Sequence, residues 1–357
     1  MSRFSYIPET VNSPVNQLNY SEQIKYWYPW VADLKNKNGY LYLHQQWGTN
    51  GEYPPPPPPG YDYYIVSGDS LMFGLAEHVA THVAGKVIQL TSAYIPDSYD
   101  TDRIKYIEYN TAHLRINRMP KDWPIIKNIQ YTASALTNRR SESKIIIFSA
   151  LMELLKDKVV ASLHNNHYHL KNIHNWDISG SELCDHYIKL FREKWNNKEI
   201  LLPADDKIEG SYNNTAYQEA ALNFTQKSYH YSFLYKNNQE YEIPGPFVTE
   251  KTWKCLLSKT AFIPVGQRHI YKWLQKLGLQ FNYGPLDLSF DNELGDLIRL
   301  EKIIKLIESL NQWTPQEIFE MTKESSEHNY NHVQSKEFWD VCERNNQPLY
   351  EYLNANC

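Results

Sequence analysis

The residues best suited to chemistry in this chain of 357 residues stand at a predicted helix start, Thr249-Glu250-Lys251. The turn-forming Pro244-Gly245-Pro246 precedes them, and the apolar run Ala261 to Val265, closed by Gly266, follows the helix as a buried strand. Thr249 is placed to cap the helix by accepting a hydrogen bond from a free backbone N–H. Lys251 in the first turn is unfavourable, because the amino end of a helix already carries partial positive charge. An anion would reverse that penalty, so the pair suits a ligand with phosphates and hydroxyls. Glu250 either accepts hydrogen bonds from a ribose diol or simply favours the helix terminus as an anion.

A second cationic point is Thr137-Asn138-Arg139-Arg140-Ser141, between a strand predicted around 128–133 and an apolar helix from Glu142 to about Lys156. Guanidinium forks beside free helix N–H groups make a diphosphate site, whereas the same residues on a solvated turn would bind nothing. His164 ends the predicted strand 159–163 as a hydrogen-bond donor to a ligand. Asp69 and Asp97 lie just past strand ends in the first third of the chain, and with Glu108 they are the candidate general bases. Asp69 could equally serve as a helix cap in a tight turn.

Metal chemistry finds little support in the ligand patterns. His164, His167, His169 and His174 lack an accompanying Cys or carboxylate cluster, Asp100-Thr101-Asp102 is a short acidic tripeptide, and His78 and His82 do not stand in the H-E-x-x-H order. The expectation is therefore no metal. Dinucleotide, Walker A and nucleophile-elbow motifs are all missing from the sequence, which argues against the enzymes built on them.

The elements that must position these residues follow an α/β grammar. Strands are predicted at 40–44, 62–67, 86–91 and 103–109, with a helix at 71–83 ended by Gly85. The pattern restarts after Pro120-Lys121-Asp122-Trp123-Pro124, and further helices are expected at 181–195, 215–226 and 292–310. An open sheet of this kind binds ligands beyond the carboxyl ends of its strands. Pro29 kinks or breaks a helical pattern over 20–35, and Pro54 to Pro59 is a stiff polyproline run, read as a rigid surface loop rather than a docking ligand. A net charge of −5 gives no general attraction to nucleic acid, so a nucleic-acid acceptor would need a local basic patch. Four scattered cysteines, no signal pattern and no apolar run long enough for a membrane span point to a soluble chain in the cytoplasm.

One longer pattern resembles a known family. Tyr231-Ser232-Phe233-Leu234-Tyr235-Lys236-Asn237-Asn238, then Phe247-Val248-Thr249-Glu250-Lys251 and Ile263-Pro264-Val265-Gly266, is similar to the donor signature of the α1,3-fucosyltransferases and of related glycosyltransferases of phages and other viruses. The family signature runs Y-K-F-x-x-x-F-E-N-S, Y-V-T-E-K, P-I-x-x-G. Its E-N pair falls here on Lys236-Asn237, and about four extra residues precede the T-E-K.

The resemblance implies an α/β chain of GT-B type. Residues 1–124 would form a Rossmann-like acceptor-side domain and 125–312 a Rossmann-like domain holding a nucleotide sugar. Residues 313–357 would form a helical tail packing back on the first domain. It implies that Glu250 meets the donor ribose, that Lys251 and one of Arg139 and Arg140 meet the diphosphate, and that Asn138, His164, Lys236, Asn237 and Thr249 line the donor site. The expected reaction moves a sugar from a GDP- or UDP-linked donor to an acceptor hydroxyl with inversion, and needs no cofactor beyond that co-substrate. The acceptor would be a glycan, a small molecule or a hydroxymethylated base in viral DNA. A catalytically silent nucleotide-binding or interaction protein is the contrasting expectation.

Overall fold

The computed structural model describes residues 10–14, 17, 26, 28–34, 37–44, 55–68, 74–91, 100–119, 125, 127–137, 140–164, 180–202, 215–226, 233–236, 239–242, 245–246 and 248–357. The chain divides into two compact units. Met1–Arg118, Glu242–Gly245 and Trp339–Cys357 make the first; Met119–Tyr241 and Pro246–Phe338 make the second. Each is an α/β unit built on a parallel sheet.

In the first unit, β1 (Thr10–Pro14) pairs antiparallel with β2 (Gly39–His44). Then β2, β3 (Tyr63–Gly68), β4 (Lys86–Thr91) and β5 (Ile104–Glu108) run parallel in sequence order. Strands β2 and β3 read as nearly continuous apolar and aromatic runs because both faces are covered. Leu41, Leu43, Ile65, Ile88 and Leu90 face the 3₁₀ turn Pro29–Leu34, through Trp30, Val31 and Leu34. Tyr42, Tyr64, Val66 and Val87 alternate onto the other face, against Leu75, Val79 and Val83 in and just past α1 (Leu75–His82). Val83 already ends that helix in extended geometry. Gly85 serves a different need: a Cβ there would stand 2.3 Å from the Tyr61 carbonyl oxygen.

The polyproline run crosses from β2 to β3 along the unit's own tyrosines. Tyr42 Oη donates to the Pro55 carbonyl and Tyr64 Oη to that of Pro58 at 3.0 Å. Those carbonyls are three residues apart, one turn of a polyproline helix. The described residues of the run, Pro55 to Pro59, are exposed apart from Pro57, so it is a surface loop bonded to the sheet.

The first unit also includes most of α9 (Lys336–Asn356), which docks beside α2 (Ala112–Arg118). Asn346 is buried, accepts from Asn110 N at 2.6 Å and donates to Asn110 O at 3.0 Å. Glu343 lies 2.9 Å from His113, and the His113 ring packs edge-on against Trp339 at 4.5 Å. The bond to His113 holds the Glu343 carboxyl below its ordinary range. Leu349 and Leu353 complete the apolar face.

The second unit is β6 (Tyr131–Thr137), α3 (Glu142–Leu154), β7 (Val159–Leu163), α4 (Glu182–Lys194), β8 (Ala220–Gln226), a two-stranded sheet of β9 (Phe233–Lys236) and β10 (Gln239–Glu242), α5 (Glu250–Leu257), β11 (Ala261–Val265), α6 (Ile270–Lys276), α7 (Asp296–Ser309) and α8 (Pro315–Val333). Its main sheet is entirely parallel, in the order β11-β8-β6-β7. Helices α3, α4 and α7 pack together, and α5 packs with α8 on β8 and β11.

Two expectations are corrected here. The helix expected over 215–226 is a single π-helical turn, Thr215–Glu219, followed by strand β8. All seven β8 residues are buried, so its polar residues Asn223, Thr225 and Gln226 lie inside and mark no solvent face, and its alternation at Leu222-Asn223-Phe224-Thr225 is only four residues long. The strand expected around 128–133 begins at Tyr131 and runs on to Thr137.

At the amino edge of this sheet, Lys127 Nζ donates to the Tyr217 carbonyl and to Thr260 Oγ1, tying the approach to β6 to the π turn and to β11. Burial pushes the Lys127 ammonium down to about 7.

Two outcomes are expected. Asn346→Leu removes both partners of the Asn110 backbone and lowers stability by about 1–3 kcal/mol in urea unfolding. Between pH 7 and the usual lysine range near 10.5, the unfolded chain binds a proton at Lys127 that the folded chain has lost. Stability from this group therefore rises with pH across that window, and Lys127→Met removes the rise when unfolding is followed from pH 7.5 to 9.5.

Candidate functional site

The chain leaves β6 for β7 on one side and then returns past β6 to β8 and β11 on the other. This reversal makes the carboxyl ends of β6 and β8 the switch point of the sheet, where an open α/β sheet leaves a crevice. Side chains in the β6–β8 seam are polar and bonded. Asn223 Nδ2 donates to Ser134 Oγ at 2.9 Å, Ser134 Oγ to the Ala216 carbonyl at 2.8 Å, and Thr137 Oγ1 to Gln226 Oε1 at 2.7 Å. Gln226 is 1% exposed, and its Nε2 has no hydrogen-bond partner among the described residues. An unsatisfied buried amide costs about 1–3 kcal/mol. At a switch point it is a donor that a ligand oxygen would satisfy. Sequence reasoning missed Gln226 because the segment was read as a helix; its one signal was a polar residue ending an Ala-Ala-Leu-Asn-Phe-Thr run.

Helix α5 brings Glu250 and Lys251 to the same edge. Only Ser258, Lys259 and Thr260 separate its last residue from β11, so its carboxyl end lies at the amino edge and its amino end points to the carboxyl edge. Thr252, Trp253 and Cys255 are buried and anchor it. Thr249 occupies the expected cap position with extended geometry, but its hydroxyl makes no capping bond. It is buried, and the correction follows: the Thr249 side chain does not cap the first-turn N–H groups. Lys251 Nζ lies 2.8 Å from Glu250 Oε1, and both side chains remain between a fifth and a third exposed.

Arg140 and His164 stand together but are directed inward. His164 is buried at the end of β7, donates its N–H to the Thr137 carbonyl at 3.0 Å, and has Nδ1 3.7 Å from Glu199. Arg140 donates Nε to the His164 carbonyl at 2.9 Å and its two terminal nitrogens to the Asn196 and Lys198 carbonyls, each at 2.5 Å. Its guanidinium also lies 5.7 Å from the Phe191 ring centroid. Partial burial draws its pKa down, with Glu199 opposing. Arg140 thus brackets the end of β7 to the loop after α4, and two of its five N–H groups remain uncommitted to those carbonyls.

Asp69, Asp97, Asn138, Arg139 and Asn237 lie outside the described residues, as do His167, His169 and His174. Lys236 ends β9, where the structure describes the backbone. Glu108 ends β5 in the first unit, opposite Thr91, and is half-buried.

Among the described residues, no group of three or more His, Cys, Asp or Glu side chains could hold a metal ion. Asp100 is engaged in its own turn, accepting from Tyr106 N at 2.9 Å and pairing with Lys105. His82 Nδ1 lies 2.8 Å from the His78 carbonyl oxygen, within one helix. No described helix is long and apolar enough to cross a membrane.

Comparison with known protein families, with curated proteins and with solved structures finds no match for this chain.

Proposed function

We propose that the chain is a glycosyltransferase of GT-B type that takes its sugar from a nucleoside diphosphate donor held by the second unit. The observation that carries this reading is the amino end of α5, which carries the paired Glu250 and Lys251 at the carboxyl edge of the sheet, where β6 and β8 form its switch point. The resemblance of the Thr249-Glu250-Lys251 segment and its flanks to the donor signature of α1,3-fucosyltransferases supports it.

In this reading the donor diphosphate meets the first-turn N–H groups of α5 and the Lys251 ammonium. Lys251 exchanges its carboxylate partner for phosphate oxygens, which frees Glu250 to accept from the ribose hydroxyls. The Gln226 amide donates to a donor oxygen at the switch point. Arg140 keeps the wall in place, and Arg139 or the uncommitted N–H groups of Arg140 meet the diphosphate. The acceptor oxygen attacks the anomeric carbon while the bond from that carbon to the diphosphate oxygen breaks. The acceptor proton passes to a carboxylate, with Asp69 first and Asp97 and Glu108 as alternatives, and the departing charge is neutralised by Lys251 and the helix terminus. The acceptor is a glycan, a small molecule or a modified base in DNA.

Nucleotide binding tests the class directly. Millimolar UDP or GDP is expected to raise the melting temperature by mass action; if no nucleoside diphosphate moves it, the donor reading fails. Lys251→Ala removes a charge-assisted bond of about 1.5–3 kcal/mol, and so weakens the nucleotide that binds on the order of tenfold to a hundredfold in calorimetry. Asp69→Asn is expected to leave nucleotide binding intact and to abolish release of nucleoside diphosphate from the sugar donor. A fully active Asp69→Asn moves the base to Asp97 or Glu108. Wild-type chain that binds nucleotide and turns over no donor with any acceptor class is a binder and not an enzyme.

A further inference from the structure

A second cationic cluster lies at the other edge of the same sheet. Lys127, Lys259 and Lys323 converge on a cavity of about 210 Å³ between the turn after α5 and helix α8, closed on its apolar side by Phe319 and Ile125. Strand β11 separates this edge from the α5 amino end, a distance on the order of 17 Å for five residues. The two clusters are therefore distinct.

Lys259 has an unusual backbone. Its φ is 52°, in the left-handed region, one residue past the helix-ending Ser258. Thr260 N donates to the Cys255 carbonyl at 2.9 Å, which closes the helix end in the way that normally selects glycine. A β-carbon there costs free energy that glycine would not, so the helix end itself gives no reason for a lysine. The side chain reaches toward α8, with Nζ 4.6 Å from the Tyr330 ring centroid.

Other groups at the cavity point the same way. Lys127 is pushed down chiefly by burial, with the nearby charge of Lys259 adding to the effect. Lys323 stands 3.6 Å from Glu320, a contact exposed to solvent, and Glu327 at the rim pairs with none of the three lysines. Ser326 is 6% exposed, lines the cavity, and its hydroxyl has no hydrogen-bond partner among the described residues. Converging cations, a buried hydroxyl awaiting a partner and an apolar wall describe a receptor for an anion with an organic part.

We propose that this amino-edge cavity binds a small phosphomonoester, with the phosphate between Lys127, Lys259 and Lys323, a hydrogen bond from the Ser326 hydroxyl, and the organic group against Phe319. A doubly charged phosphate suits the Lys259 and Lys323 ammonium groups, with Lys127 as a further donor, better than a carboxylate does, and this assignment does not depend on the donor reading of the carboxyl edge.

The test is calorimetry on the full chain with phenyl phosphate, inorganic phosphate and benzoate at constant ionic strength. Phenyl phosphate is expected to bind saturably, inorganic phosphate more weakly and benzoate at least tenfold more weakly. Lys259→Asn keeps a residue that tolerates the left-handed region, and Lys323→Gln alters an exposed position, so both variants are expected to fold. Each should weaken phenyl phosphate several-fold, and the double variant at least tenfold. Ser326→Ala should also weaken it, while Lys251→Ala should leave it unchanged. Absence of saturable binding overturns the proposal, as does benzoate binding equal to phenyl phosphate. Binding lost in Lys251→Ala but kept in the double variant moves the anion to the carboxyl edge and equally overturns it.

Discussion

The second unit depends on a buried polar seam between β6 and β8. Ser134 with Asn223, and Thr137 with Gln226, hydrogen-bond across two strands that are covered on both faces. Apolar side chains alone would hold such strands together in several registers, because burial is non-directional. Hydrogen bonds in a dry interior are directional and costly to break, so they select one register. The partners are spaced alike, three residues apart on each strand, so the bonds reinforce a single alignment. With that alignment fixed, Thr137, His164 and Gln226 arrive at the same edge, and α5 must deliver Glu250 and Lys251 there on its way to β11.

The cations of this unit separate by what their geometry already satisfies. Arg299 is almost fully buried, donating to the Gly266 and Glu293 carbonyls and pairing with Asp296, and it holds α7 to the end of β11. Arg140 performs the same kind of task at β7. A planar fork with five donors is well matched to several carbonyls at once, which suits arginine to this bracing. Lys251 and Lys259 carry compact charges on flexible stems, and both sit where helix termination alone would favour another residue.

Much of this architecture was legible in the sequence, and the failures share a cause. Strands β4, β7 and β11 are apolar runs bounded by turn residues, and their extents match the expectation from pattern alone. Helices α3, α4 and α7 were found within a few residues from their periodicity. Strand β8 was not, because its alternation is confined to four residues and its polar side chains serve a partner strand that local sequence does not reveal. The short helices α2 and α6 carry too few turns for a period to stand out. At the site, the position of Thr249 was legible and the direction of its hydroxyl was not, since a rotamer answers to packing. The inward commitment of Arg140 was likewise hidden, for its partners are backbone carbonyls more than 20 residues away.

The proline run bears on how the first unit assembles. A parallel pair such as β2 and β3 needs a crossover, commonly a helix whose ordering must be stabilised by packing. Here Pro55 to Pro58 restrict that crossover covalently, because each ring fixes its own φ before any contact forms. The unfolded chain already samples the extended conformation that the folded unit requires, so less entropy is lost on closing the loop. Two tyrosine hydroxyls then suffice to moor it. The segment read from the sequence as a rigid surface loop is a pre-stiffened spacer in the connection between two neighbouring strands.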